Sequence, residues 1–288
     1  MTSKTTRLEP PTVTVGVPVF NERESIEAHL AALRDQSYTN LDIIVCDNAS
    51  DDGSSELIKS LIPLYSHSFY QQPENLGPWA NFVSCLSRSS GEYFLWAAPD
   101  DKRSSNFIEK CVDFLEANPD FVGVAAGEQF GQDERLFALD GESVGTRISQ
   151  FLRNAYRSHG FFYGVFRSSG IEDFPFHERT YFGVDWSFTL WALTKGKIGR
   201  IQSAQISIGV VGVSSSPRRY SSFLKGWKAR LFPFRELSIE VFSWPQWTFS
   251  HRKQLRFFFA RQNVSLCIDQ ARLSFGWLYR RLSGSRCT

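Results

Sequence analysis

The sequence predicts a doubly wound, mostly parallel α/β sheet followed by a basic helical C-terminal extension. Three observations carry this reading. Short β-branched runs alternate with amphipathic segments through the first 126 residues, the pattern of a parallel sheet covered by helices. Clusters of carboxylates and amides follow several of those runs directly. Charge also divides the chain: residues 1–216 hold 18 Lys and Arg against 27 Asp and Glu, and residues 217–288 hold 14 against 3.

Taken in order, Met1 to Pro11 is polar, ends in proline and reads as a flexible terminus with no secretory leader. Val13–Val17 is a buried strand that stops at Pro18. Glu24–Gln36 places Ile26, Leu30 and Leu33 on one helical face. Leu41–Cys46 is a second strand, and a short helix runs through Leu57, Ile58 and Leu61. Phe69–Gln72 forms a third strand, Trp79–Leu86 a helix, and Tyr93–Ala97 a fourth strand running into Pro99-Asp100-Asp101. Asn106–Ala117 is a helix closed by Asn118-Pro119, and Phe121–Ala126 is a further strand. Gly160 to Arg167 reads as a buried strand, and Tyr181 to Trp186 enters a helix with Trp186, Leu190 and Leu193 on its apolar side.

Composition and motifs exclude several classes. No run reaches the roughly 18 apolar residues of a membrane span. Five cysteines, odd in number and without metal-type spacing, read as free thiols in a reducing cytoplasm. There is no G-x-G-x-x-G after the first strand and no G-x-x-x-x-G-K-[ST], so dinucleotide and P-loop readings lose their main support.

In open α/β sheets ligands bind outside the carboxyl ends of the strands. Asn21-Glu22, Asp47 and Asp100-Asp101 all fall there. The stretch Asp47 to Gly53 is either a site or ordinary Asn/Asp/Ser/Gly turn chemistry. Adjacent acids such as Asp100 and Asp101 repel unless positive charge is near. A divalent cation on a diphosphate would supply it, with Mn²⁺ or Mg²⁺ suited to hard oxygen ligands. The alternative is a solvated turn ahead of the helix at Asn106.

Four segments in order resemble glycosyltransferase family 2. Val15-Gly16-Val17-Pro18-Val19-Phe20-Asn21-Glu22 is similar to the family's opening strand and turn, and Leu41 to Gly53 to its second strand and acidic turn. Asn75-Leu76-Gly77 with Asn81 resembles its Asn-x-Gly segment, and Gly91-Glu92-Tyr93 to Asp100-Asp101 its acidic pair. The resemblance covers about residues 12–125 and implies a GT-A, Rossmann-like fold and an inverting, metal-dependent transferase using a nucleoside-diphosphate sugar. It implies that Pro18, Phe20, Asn21 and Glu22 lie against base and ribose, with Asn75, Gly77 and Asn81 also on the nucleotide. Asp47 would accept from the base, Asp100 would face ribose or sugar, and Asp101 would hold the metal. Asn48-Ala49 departs from the family's usual Asp-Gly. Asp185 resembles the general base, with Glu178, Asp173 and Glu172 in reserve, and Val184 stands where a second acid is common. The competing role for Asp185 is a helix cap. The expected acceptor is a saccharide or lipid-linked saccharide in surface polysaccharide or glycan synthesis.

This organisation implies a GT-A domain over 12–213, with a nucleotide half at 12–126 and an acceptor half at 127–213, then a basic aromatic region at 214–288. Aromatics from Phe161 to Trp191 are mostly core, with one or two serving as sugar platforms. Trp and Phe beside Lys and Arg in 217–288 fit either an anionic membrane interface or the solvated face of a helical cap. No nucleic-acid-binding module accompanies them. The expected location is the cytoplasm or the inner face of the cell membrane. Two other classes stand beside transfer. A sugar nucleotidyltransferase would bring a Gly-rich basic loop that Pro18–Glu22 lacks. A nucleotide-sugar-binding protein would turn nothing over.

Overall fold

The computed structural model describes residues 9–130, 133–175, 183–209 and 232–282, the side chains of 130, 133 and 269–282 excepted. The first half alternates strictly: β1 (Val13–Val19), α1 (Ile26–Arg34), β2 (Leu41–Asp47), α2 (Ser54–Tyr65), β3 (Ser68–Gln71), α3 (Pro78–Leu86), β4 (Tyr93–Trp96). There follow β5 (Lys102–Arg103), α4 (Phe107–Ala117), β6 (Phe121–Phe130), β7 (Asp133–Arg135), α5 (Val144–Asn154), α6 (His159–Phe162), β8 (Val165–Arg167), α7 (Val184–Lys195) and β9 (Lys197–Ser207). The C-terminal helices are α8 (Arg235–Ser243) and α9 (Phe249–Leu282).

One sheet has the order β3-β2-β1-β4-β8-β6-β9-β5, with β7 beside β6. The strands β3, β2, β1 and β4 are mutually parallel, as are β6 and β9, while β8 runs antiparallel between β4 and β6. Contrary to the sequence expectation, β1 does not stop at Pro18. It continues to Val19, with Pro18 in register with Cys46 and Val19 with Asp47. The expected strand from Gly160 to Arg167 is also corrected: Gly160, Phe161 and Phe162 lie in α6, and only Val165–Arg167 is strand. Gly160 and Gly164 are tight because Glu128 and the Val124 carbonyl approach them.

Each face of the sheet buries its own core. Alternate residues Val13, Val15, Val17 and Val19 meet Ile26, Leu30, Ile58 and Leu115 from the helices α1, α2 and α4, the period-two alternation that a strand imposes. The other face is aromatic. Trp96 stacks on Phe162 at 4.4 Å, meets Phe188 edge-on at 5.0 Å and donates from Nε1 to the Phe82 carbonyl at 2.9 Å. Phe161, Phe162 and Phe174 are buried in this core, as expected. Phe176, Tyr181 and Phe182 lie outside the described residues.

The chain divides into two compact units. One comprises Met1–Thr180 with Phe188–Val211 and holds the whole sheet; the other comprises Tyr181–Ser187 with Gly212–Thr288. In the second unit, Trp186 stacks on Phe234 at 5.2 Å, and Phe234 N–H donates to Asn263 Oδ1 at 3.0 Å. Arg252 donates from Nη1 to the Phe242 carbonyl and from Nη2 to that of Trp244, at 2.7 and 3.2 Å, joining α9 to the end of α8.

Candidate active site

The carboxyl ends of β1 and β2 are joined before any ligand is considered. Asn81, buried on α3, donates from Nδ2 to the carbonyls of Val19 and Cys46, both at 3.0 Å. The two following turns are then bound to each other. Asn21 N–H donates to the Ser50 hydroxyl at 2.9 Å, and its side chain exchanges hydrogen bonds with Asp51 at 2.9 and 3.0 Å. Glu22 N–H reaches the Ser54 hydroxyl and Arg23 N–H reaches Asp52, at 2.9 and 3.1 Å. Asn21 and Ala49 hold positive φ (57° and 59°), an unusual conformation for residues other than glycine that local hydrogen bonds sustain here.

Asp47 is fully buried in this turn. Its carboxylate accepts from Ser50 N–H and hydroxyl and from the Ser55 hydroxyl at 2.6 Å. Asn48 donates to Asn75 Oδ1 at 2.8 Å and accepts from Leu76 N–H at 3.0 Å, while Asn75 also accepts from Gly77 N–H at 2.9 Å. The Asn-Leu-Gly segment thus docks on the acidic turn through Asn48, the residue that departs from the family's usual choice. Pro18 is buried within β1, whereas Phe20 is exposed at its end.

Gly53, with φ +88°, closes the turn into α2, and a Cβ there would come within 2.4 Å of Arg23 Nη1. That guanidinium donates to the Gly53 carbonyl at 3.0 Å. Gly53→Ala is expected to lower stability by about 1–2 kcal/mol, the cost of the left-handed backbone, read as a shift in urea midpoint at unchanged m-value.

The acidic pair after β4 splits into unlike members. Asp101 is only 5% exposed. Its Oδ1 accepts from Gly209 N–H at 3.0 Å and its Oδ2 lies 3.5 Å from Arg103 Nη2, in an ion pair buried on both sides. Burial raises its carboxyl above the usual carboxylate range, against the pull of Arg103 and Gly209 N–H. Asp100 is exposed. Among the described residues no cation pairs with it. A Cβ at Gly209 would sit 2.3 Å from an Asp100 oxygen, so the glycine leaves room for that carboxylate. Burial also raises Glu22, and Asp100 and Asp52 push the same way against the Ser25 hydroxyl. Asp100, Glu22 and Asp52 therefore stand close enough along this edge for their charges to interact. Among the described residues, no group of three or more His, Cys, Asp or Glu is arranged to hold a metal ion by itself.

Asp185 lies in the first turn of α7, half-buried, in the second unit. At the start of that helix the Gly183 carbonyl accepts from Trp186 and Ser187 N–H at 3.0 and 3.2 Å. Of the reserves, Asp173 is held by Lys195 and by Trp191 Nε1 at 2.5 and 3.3 Å, Glu172 is exposed, and Glu178 lies outside the described residues.

Sequence reasoning did not single out Arg103, Gly209 or the serines at 50, 54 and 55. The serines were legible as hydroxyls interleaved with acids. Arg103 carried a signal too: two adjacent acids need a positive neighbour, and the chain itself provides one two residues on. A buried cluster was also missed, in which Glu128 pairs with Arg135 at 2.8 Å and Arg200 at 3.5 Å. Burial lowers Arg200 to about 10, and its guanidinium lies 4.2 Å from the Phe161 ring centroid.

A parallel α/β half-sheet with carboxylates and amides locked along its carboxyl edge is the type of protein that binds ligands there. Known proteins make this specific: glycosyl transferase family 2 matches residues 14–180, and the chain belongs to that family. It is 26% identical over 180 residues to the GalNAc(5)-diNAcBac-PP-undecaprenol beta-1,3-glucosyltransferase of Campylobacter jejuni, a match covering 59% of this chain and 56% of that protein. The chain spans about half the length of the curated relatives it matches. Its fold is similar to that of S. aureus TarS 1-349 (TM-score 0.66, 16% identity, 88% of this chain and 72% of that one). TarS 1-349 has also been solved in complex with UDP-GlcNAc, where the TM-score is 0.65, the identity 14%, and the coverage 88% and 73%. The mannosyltransferase PcManGT of Pyrobaculum calidifontis, in complex with GDP-Man and Mn²⁺, matches at TM-score 0.61 and 17% identity, over 97% of this chain and 77% of that one. These likenesses establish a GT-A-type α/β fold.

Proposed function

We propose that the chain transfers a sugar from a nucleoside-diphosphate sugar to a hydroxyl of a saccharide or lipid-linked saccharide, with inversion at the anomeric carbon. The observation that carries the proposal is the acidic edge of Asp100, Glu22 and Asp52, beside two interlocked turns, in a chain of this family. The relative that acts on an undecaprenol-linked saccharide and the neighbours solved with sugar nucleotides support the same acceptor and donor kinds.

In this reading Phe20, exposed at the end of β1, lies against the base, and the Asn21–Glu22 turn borders the ribose. Asn75 and Gly77 flank the nucleotide, while Asn81 fixes the strand ends beneath it. Asp47, fully buried, shapes the base-side turn from beneath through Ser50 and Ser55. The exposed carboxylate of Asp100 is assigned to the metal, and Asp101, neutralised by Arg103, is assigned to holding Asp100 in place. The donor set is hard oxygen, as Mn²⁺ and Mg²⁺ require, and such ions complete their shell with substrate phosphates. A divalent cation held there would place positive charge on the diphosphate as it leaves. Asp185 takes the proton of the acceptor hydroxyl as that oxygen bonds to the anomeric carbon and the bond to the diphosphate breaks. A diphosphate leaves without protonation, so one base suffices.

Calorimetry with UDP-, GDP- and dTDP-sugars, each with Mn²⁺ or with EDTA, tests the proposal. One donor is expected to bind with Mn²⁺ and to lose at least tenfold in affinity with EDTA. Failure of all three to bind, or binding indifferent to EDTA, would overturn it.

A further inference from the structure

Helix α9 carries two opposed stripes. Leu255, Phe258, Phe259, Gln262 and Leu266 are buried, and Phe259 packs on Phe234 and Phe242 within the same unit. At 100° per residue the opposite side carries Phe249, Lys253, Phe257, Arg261, Val264 and Ile268. The four apolar members are 83%, 73%, 60% and 47% exposed. Lys253, Arg256 and Arg261 are exposed among them. Between Val241 and Ile268 the sequence holds four Lys and Arg and not one Asp or Glu. The stripe runs for roughly 29 Å at 1.5 Å per residue. Large apolar side chains seldom line up in water without a partner. Among the described residues no helix is long and apolar enough to cross a membrane, so this one suits lying along a surface.

We propose that this face of α9 docks in the plane of an anionic lipid bilayer. Phe249, Phe257, Val264 and Ile268 enter the acyl boundary while Lys253, Arg256 and Arg261 meet the phosphate headgroups. The charge selects the occupant, because a cationic rim without acids complements an anionic surface and repels a second copy of itself. Docking would hold the enzyme where a lipid-linked acceptor resides, but it rests on the helix alone and not on sugar transfer.

The test is flotation of the full chain with phosphatidylcholine vesicles, with and without about 30% phosphatidylglycerol, in the absence of donor and metal. Binding is expected to require the anionic lipid and to weaken as salt rises from 0.05 to about 0.5 M. The pair Lys253→Glu and Arg261→Glu is expected to lose roughly 25-fold in partitioning, about fivefold per cation. The pair Phe249→Ser and Phe257→Ser is expected to lose about tenfold or more. Their exposed side chains leave the urea midpoint near wild type, which separates lost docking from lost folding. Equal binding to neutral vesicles, no binding of wild type, or variants that float like wild type would overturn the proposal. So would a dimer in sedimentation that Phe257→Ser splits, since a second copy would then own the face.

Discussion

Asp100→Ala is expected to abolish metal-dependent donor binding and to lower kcat/KM by about 10³-fold, the scale of losing one group that stabilises charge in a transition state. Folding should be little affected, because Asp100 is exposed and the buried Arg103 keeps Asp101 as its direct partner. Asp101→Ala should behave in the opposite order. Removing it leaves Arg103 buried beside the Trp96 carbonyl without its counter-ion, and breaking a buried pair costs about 3–5 kcal/mol. Adjacent acids thus separate by observable: Asp100→Ala in calorimetry with Mn²⁺, Asp101→Ala in the urea midpoint. A mutant Asp100→Ala that binds donor and Mn²⁺ normally would return the metal to Asp101.

Asp185→Asn is expected to lower kcat by about 10³-fold while leaving donor affinity within twofold, since positioned proton transfer contributes about 10²–10⁴. Asparagine keeps the size and hydrogen-bonding reach of aspartate at the start of α7 and loses its basicity. A purely structural role in that first turn would therefore survive the change, with turnover and melting temperature both close to wild type. Single-turnover kinetics with saturating donor separate the cases. Full activity in Asp185→Asn would move the base elsewhere, with Glu172 and Asp173 the exposed reserves among the described residues.

Much of the first sheet half was legible because its strands are uniform in character. In β1 and β2, β-branched residues are buried on both faces, and the turns after them are too polar to continue either element. The second half was harder for a physical reason. The residues Gly160 to Phe162 are apolar and buried all round, so no periodicity distinguishes a single helical turn from a strand. The strand β9 went unread because Gln202, Ser203, Gln205 and Ser207 face solvent and dilute its hydrophobic signal. At the site, sequence marked the carboxyl edge through Asn21, Asp47 and Asp100-Asp101, and only the family resemblance, not the two identical residues themselves, told the neighbours apart. Which acid turns inward depends on β5 pairing with β9 and on Gly209 arriving beside Asp101, contacts separated by over a hundred residues.

The reciprocal bonds between Asn21 and Asp51, with Glu22 and Arg23 reaching Ser54 and Asp52, have a thermodynamic corollary. A recognition surface assembled by folding is rigid before its ligand arrives, so little chain entropy is left to lose at the moment of encounter. Discrimination between donors would then resemble fitting a key to a fixed ward. The wrong base would be rejected by the unmet hydrogen bonds of a scaffold that does not relax around it.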